Sequence, residues 1–398
     1  MSSVYLVDGV RTPVGRYGGA LSSVRVGDLA ALVVGAVVER SGLPPQIIDD
    51  VILGAANQAG EDNRNVARMA VLLAGLPDQV PGYTVNRLCA SGLQAIASAA
   101  QAIAAGQASV SVAGGAESMT RAPWVMTKPG TPWAKPGETA DTALGWRLVN
   151  PRMRPLDDGD ATLSLGECTE KLAVRHGITR AASDEYAARS QALAAAAWER
   201  GDFDAEVVAV QPAKSDAVTR DETVRASTTV ESLSALRPAF TADGIVTPGN
   251  ASPLSDGASA VVVASEEAVA AHGLTPRARI LGYAAAGVQP SLFGMGPVPA
   301  ITKLLAQTGV SLDDVDVVEI NEAFAAQVLT CQQLLGVETA KLNPNGGAIA
   351  LGHPLGSSGA RIVVSLLGQL ERTGGRLGIA SLCIGVGQGA AMLVERVG

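Results

Sequence analysis

Residues 85–118 read VNRLCASGLQAIASAAQAIAAGQASVSVAGGAES. The residues just before, GYTV (82–85), are β-branched and aromatic and run into Asn86. From Ser91 a small-residue run with Leu, Ile and Ala at helical spacing continues to Gly106, and SVSVAGG (109–115) then reads as a buried strand. Strand, helix, strand is the repeating unit of an α/β sheet. SVYLVDGV (3–10) and DDVILGAA (49–56) are further strands, and RVGDLAALVVGAVVERSG (25–42) is a helix closing on Gly42. A similar order returns later: KLNPNGGAIALGHPLGSSG (341–359) leads into a helix in ARIVVSLLGQLERTGG (360–375) and a strand in LGIASLCIGVGQG (377–389). The pattern predicts an α/β protein made of a duplicated unit with a loop insertion. Both halves' loops then meet at one edge, where open α/β sheets bind ligands.

The chain has 398 residues, more than one typical core holds, and is 47% hydrophobic and 17% charged with 45 glycines. Its net charge of −8, without a basic tract, argues against nucleic acid as a partner. The four cysteines, Cys89, Cys168, Cys331 and Cys383, are widely spaced and form no C-x-x-C pair, so neither a metal site nor a disulfide framework is indicated. No apolar run spans a bilayer and SSVYLVDGVRTPVG at the start is not a targeting signal; the expectation is a soluble cytoplasmic protein. The stretch 121–160, rich in Pro, Gly and Trp, reads as a long packed loop. A helix follows in SDEYAARSQALAAAAWERG (183–201), with Ser183 as its N-cap, acids in its first turn and Gly201 after its end. The expected division is 1–120 for the first part of an N-terminal half, 121–250 for a loop domain and the return to that half, and 251–398 for a C-terminal half.

Cys89 stands just before a helix, whose unpaired N–H groups and positive dipole end favour thiolate. A buried structural cysteine is the plainer reading of that stretch alone. Among three histidines, His176 and His272 fall at helix C-termini and read as solvated cations. His353, set among glycines and a proline ahead of a helix, could instead take a proton from a thiol. Cys383 ends a strand and opens into glycines that could expose N–H groups as an oxyanion hole. The run GVGQG there is no dinucleotide loop, because no helix follows it to receive a pyrophosphate. Asn321, between strand and helix in VDVVEINEAFAAQVL (315–329), reads as an N-cap that could also position a water. Two thiols and one imidazole suit a reaction in which one thiol carries an acyl group and the other moves a proton beside a carbonyl. A redox pair of Cys89 with Cys383 is the alternative, and it would leave His353 idle.

The blocks NRLCASGLQA (86–95), NEAFAAQ (321–327), NGGAIALGHPLGSSGARI (345–362) and CIGVGQG (383–389), in this order, resemble the motifs of the thiolases. The likeness begins at VDGVRTPVGRYGGAL (7–21) and runs to the last strand. It implies a five-layered αβαβα fold with an inserted loop domain, assembled as a homodimer or homotetramer. It also implies that Cys89 takes the acyl group of a 3-oxoacyl-CoA, that His353 activates Cys89 and forms an oxyanion hole with a water held by Asn321, and that Cys383 exchanges the proton of acetyl-CoA. The N–H groups of Cys89 and Gly385 would form the second oxyanion hole. Coenzyme A is then a substrate and no cofactor is needed. The segment ALRPAFTADGIVTPGNAS (235–252) resembles the family's coenzyme-A-binding stretch, which assigns Ser252, Phe240 and Arg225, together with Leu165, Ala323 and Phe324, to substrate binding. Ketoacyl synthases, which are similar, have His or Asn at the place of Cys383; an inactive lipid-binding relative would be expected to have lost one of these site residues.

ANQAGEDNRNVARMAVLLAGLP (56–77), ESMTRAPWVM (117–126) and DTALGWRLVNPRM (141–153) are similar to the β-ketoadipyl-CoA thiolases. Those enzymes split 3-oxoadipyl-CoA into succinyl-CoA and acetyl-CoA. Ser164 and Leu165 stand where thiolases of the acetoacetyl-CoA type carry a His-Met pair. The other readings are an acetyl-CoA acetyltransferase and a broad 3-ketoacyl-CoA thiolase. A substrate with a terminal carboxylate should meet a cation in the long loop, such as Arg121, Arg147 or Lys128.

Overall fold

The computed structural model describes residues 3–398. The opening stretch folds as read: strand Gly82–Val85, a 3-10 turn at Leu88–Ala90, helix Ser91–Ala104 and strand Val110–Ser118. Both strands lie parallel to Asp50–Gly54, one on each side of it. Outward from there, Val110–Ser118 pairs antiparallel with Ser255–Ser265, which pairs antiparallel with Val4–Arg11.

The second half repeats this pairing order. Ala278–Gly287 lies antiparallel to Gln388–Arg396, and that strand antiparallel to Leu377–Ile384. Leu377–Ile384 is parallel to Val317–Ile320, which makes a parallel bridge from Val318 to Leu342. The two halves join where Tyr5 and Leu6 meet Arg279 and Ala278. The strand Ser255–Ser265 therefore completes the first half, although a boundary at 250/251 assigns it to the second. It reads as a start of new structure because it follows the loop region, but it is buried along its whole length between two first-half strands.

Three cores separate five layers. One packs helices Val26–Arg40 and Val66–Leu73 on the outer face of the first half-sheet. The middle one encloses Ser91–Ala104 and Leu355–Thr373 between the two half-sheets. The third covers the outer face of the second half with Pro297–Thr308 and Ala325–Leu335. Among the described residues, no helix is long and apolar enough to cross a membrane.

Two local readings change. The long helix runs Arg180–Arg200 with Thr179 as N-cap, its hydroxyl accepting from Ala182 N–H at 3.2 Å, so Ser183 lies in its first turn and no acid precedes it there. Ser183 reads as a cap because caps and first-turn residues share a composition; Ile178, just before Thr179, hides the earlier start. The 121–160 stretch is not packed throughout. It carries a small hairpin, Trp124–Met126 with Thr139–Asp141, at whose tip Trp133 is 95% exposed.

The two central helices cross at glycine. A Cβ on Gly92 would stand 2.8 Å from both Ala360 N and Gly356 O, and one on Gly359 would stand 2.2 Å from Leu93 N. These neighbours are backbone atoms and cannot swing aside. Gly359→Ala should therefore destabilise the fold by about 1–3 kcal/mol, read as a lower urea midpoint, whereas Gly130→Ala, with nothing within 4 Å, should leave it unchanged.

Candidate active site

Cys89 sits in the turn that leads into the first central helix, 5% exposed. Leu88, just ahead of it, is held at φ 46°, a left-handed conformation rare for a bulky residue. Asn86 fixes that turn by accepting from Leu88 N–H at 2.8 Å, and Ser91 Oγ accepts from Arg87 N–H and donates to Leu88 O. Across the site, the hairpin between Ile384 and Gln388 places Gly385, whose N–H points at the Cys89 thiol. Val386 beside it is also left-handed, at φ 65°. Strained residues thus flank the thiol on both sides, as they do at many functional sites.

His353 lies ahead of the second central helix. Its N–H donates to Ser255 Oγ at 3.1 Å, and Nδ1 lies 2.6 Å from Ser358 Oγ. Ser358 gives its own proton to Pro354 O at 2.9 Å, so Nδ1 is the protonated nitrogen and Nε2 keeps its lone pair. Nε2 accepts from Asn321 Nδ2 at 3.3 Å. Asn321 Oδ1 is buried with no partner in the protein. Asn321 is not an N-cap: it ends the strand Val317–Ile320, and the helix Ala325–Leu335 begins beyond it with Phe324 in the cap position. The intervening NEAF turns the chain first, because Glu322 is pulled inward.

Glu322 is fully buried and ties three elements to this turn. It accepts from Tyr186 Oη and Ser190 Oγ on the long helix, from Asn343 Nδ2, and from Ile349 N–H on the way to His353. Glu117 does the same on the Cys89 side, accepting from the N–H groups of Ala56, Asn57 and Gly356. Burial raises its pKa to about 7 against those donors.

The electrostatics correct one expectation. Burial pushes the Cys89 thiol up to about 11, outweighing the Gly385 and Cys89 N–H groups that favour thiolate. The helix end is there, but its dipole cannot offset loss of water. His353 is pulled down to about 3, by burial and then by the charge of Arg361. Burial also raises Cys383 well above the ordinary thiol value, and charge on Cys89 adds to that, which marks the two thiols as neighbours. Burial thus favours neutral groups in the resting site: two thiols, and an imidazole whose unprotonated Nε2 faces Asn321. The chemistry available is proton transfer coupled to attack by sulfur rather than a standing thiolate.

A cavity of about 340 Å³ opens on Cys89 and Gly385. Leu165 lines it; Ala323 and Phe324 join Cys383 and Cys168 in the apolar cluster behind. Phe240 stacks edge-on to Phe324 and lies so close to Gly166 that a Cβ there would be 2.3 Å from its ring. Ser252 Oγ donates to Ala323 O at 3.2 Å. Arg225 does not line the cavity: it is exposed, and its backbone N–H donates to Gln191. Arg147 belongs to the cavity wall, Arg121 is held by Glu61 at 2.6 Å, and Lys128 is exposed on the loop. Cys168 also lines the cavity, while Cys331 is fully buried and donates to Gly294 O. His176 and His272 end their helices, but His176 is half-buried with an unpartnered Nε2 rather than solvated. Sequence reasoning missed Ser255, Ser358, Glu117 and Glu322; the last two were signalled only as carboxylates inside otherwise uncharged motifs.

The model of the thiolase N-terminal domain matches residues 4–267, and that of the thiolase C-terminal domain matches residues 274–396. The chain belongs to the thiolase family and is an acyltransferase. It is 52% identical over 400 residues to the β-ketoadipyl-CoA thiolase of Pseudomonas aeruginosa, covering 99% of each chain. The crystal structure of the Bacillus anthracis acetyl-CoA acetyltransferase superposes with a TM-score of 0.93 at 43% identity, covering 100% of this chain and 99% of that one. The human mitochondrial 3-ketoacyl-CoA thiolase in complex with CoA gives 0.91 at 40% identity, covering 100% and 98%.

If the resting thiol is neutral, alkylation of Cys89 in the free enzyme should follow the thiolate fraction. Inactivation by iodoacetamide should then climb roughly tenfold per pH unit between pH 7 and 9. A rate that levels off near neutrality would reveal a thiolate–imidazolium pair instead.

Proposed function

We propose that this thiolase cleaves 3-oxoadipyl-CoA with coenzyme A to give acetyl-CoA and succinyl-CoA. The observation that carries the reading is the joint opening of Cys89 and Gly385 on one cavity, with Cys383 near enough to Cys89 to feel its charge and His353 buried in a hydrogen bond with Asn321. Full-length similarity to an enzyme named a β-ketoadipyl-CoA thiolase selects the substrate.

Cys89 Sγ attacks the keto carbon while its proton passes to His353 Nε2. The oxygen that gains charge is received by an oxyanion hole, which spares a separate charge in a dry site. The bond between the keto carbon and its neighbour then breaks. The electron pair goes to the departing acetyl-CoA enolate, which takes a proton from Cys383. The succinyl group stays on Cys89 as a thioester. Coenzyme A enters, gives its proton to Cys383, and displaces Cys89, which recovers its own proton from His353. A water donating to the unpartnered Asn321 Oδ1 would complete one oxyanion hole with His353. The N–H groups of Cys89 and Gly385 would form the other. Ser252, Phe240, Phe324, Ala323 and Leu165 would hold the coenzyme A arm, and exposed Arg225 would meet its charged end.

Ser164 supports a substrate other than acetoacetyl-CoA. Its hydroxyl is committed to a capping box with Glu167 at the start of helix Leu165–His176. Ser164 therefore offers the cavity no free hydroxyl. The enzyme would act in the cytoplasm as a homodimer or homotetramer, an assembly that would cover the exposed Trp124, Met126 and Trp133.

Cleavage of 3-oxoadipyl-CoA compared with acetoacetyl-CoA, with products identified by mass spectrometry, tests the substrate. The expected result is preferential release of succinyl-CoA; a preference for acetoacetyl-CoA would make this an acetyl-CoA acetyltransferase. The roles are tested separately. Cys89→Ser should form no acyl-enzyme, whereas Cys383→Ser should still be acylated by an acyl-CoA yet fail to break the carbon–carbon bond. Full turnover by either variant would overturn the assignment.

A further inference from the structure

A terminal carboxylate inside a largely apolar cavity is stable only if a cation or several donors meet it. The wall that contains Cys89 offers few polar side chains, and most are already committed. Asn57 Nδ2 donates to Thr142 Oγ1 and Thr142 O, and its Oδ1 accepts from Ala59 N–H. Thr142 Oγ1 donates to Pro123 O at 2.6 Å, and Trp146 Nε1 donates to Leu163 O at 3.2 Å. Ser164 is held in its capping box. The remaining polar side chain, apart from the thiols, is Arg147, the one charged residue of this wall. Among the described residues no acid lies within ion-pairing distance of it: Arg121, by contrast, is locked to Glu61 by two bonds of 2.6 Å.

The backbone around Arg147 is fixed in an uncommon shape. Gly145 stands at φ 83° and Leu148, a non-glycine, at φ 50°. The Thr142 and Trp146 bonds anchor the segment on one side of that bend. Strain of this kind persists where surrounding contacts over-determine it, and ligand clamps are one such place.

We propose that Arg147 is the specificity-determining residue of the cavity: its guanidinium receives the terminal carboxylate of the acyl group carried to Cys89. Its forked donors match a carboxylate with two parallel bonds, which a lysine cannot supply. The assignment rests on the proposed substrate reading, from which the experiment separates it.

The measurement is kcat/KM for 3-oxoadipyl-CoA and for 3-oxohexanoyl-CoA, which has the same acyl length without the carboxylate, in the wild type, Arg147→Gln and Arg147→Lys. In the wild type the ratio should favour the dicarboxylic substrate. In Arg147→Gln that ratio should fall about 100-fold, and Arg147→Lys should fall between. Both substrates serve as internal controls for folding, since a merely structural loss moves them together and leaves the ratio unchanged. An unchanged ratio in both variants, with wild-type preference intact, would overturn the role of Arg147 while leaving the substrate reading standing. A wild type that favours 3-oxohexanoyl-CoA would overturn both.

Discussion

The site depends on backbone touching backbone. Gly92 lies against the Gly356–Ala360 turn, Gly359 against Leu93, and Gly115 so close to Gly356 that a Cβ would meet its carbonyl at 1.9 Å. A Cβ on Gly54 would likewise meet Ser91 at 2.3 Å. All of these contacts fall near the beginnings of the two central helices, and those beginnings carry Cys89 and His353. With side chains in between, the helices would separate by several ångströms, and a thiol and imidazole from opposite halves could not share a site. Close packing makes such an arrangement a fixed distance rather than a soft one.

The same closeness sets the electrostatics. Two half-sheets that bury their helix starts also bury every reactive group there, and burial disfavours charge. Cys89 and Cys383 are pushed up and His353 down by that common cause. The fold supplies backbone N–H groups instead of counter-charges. Such donors are already oriented before the reaction and need no reorganisation when charge appears on a substrate oxygen. In the proposed mechanism this favours a proton that moves with the attack over an ion pair waiting in the resting enzyme. Glu117 and Glu322 serve the arrangement at a distance, each accepting N–H groups that the converging loops would otherwise leave unpaired.

The duplicated halves were legible because each repeats strand, small-residue helix and Gly-ended strand at similar spacing. The order in which strands pair was not, since it depends on contacts between segments far apart, such as Ser255–Ser265 sliding between Val4–Arg11 and Val110–Ser118. Cys89, His353, Asn321 and Cys383 stood out as reactive types beside glycine. Ser358 did not, because a serine in SSG looks like any helix start until its bond to Nδ1 is seen. The helix-end argument placed Cys89 just before a helix, as it is, but favoured thiolate where burial favours the thiol, since proximity to a helix is written in the sequence and depth of burial is not. Of the three loop cations, only the folded chain separates them: Arg121 finds Glu61, Lys128 finds solvent, and Arg147 faces a cavity.

That separation reflects a division of labour between sheet and loop. The groups on the sheet edge and central helices are held by glycine contacts and buried carboxylates, and little can change there without moving the chemistry. The Thr142–Arg147 segment is anchored differently, by bonds to Pro123, Asn57 and Leu163 outside the half-sheets. Residues can be exchanged there without altering a helix crossing. A cation on that segment can select an acyl group while the acyl transfer machinery stays as it is. In the proposed reading the long insertion is where a common reaction acquires its particular substrate, because it borders the cavity without being part of the core between the half-sheets.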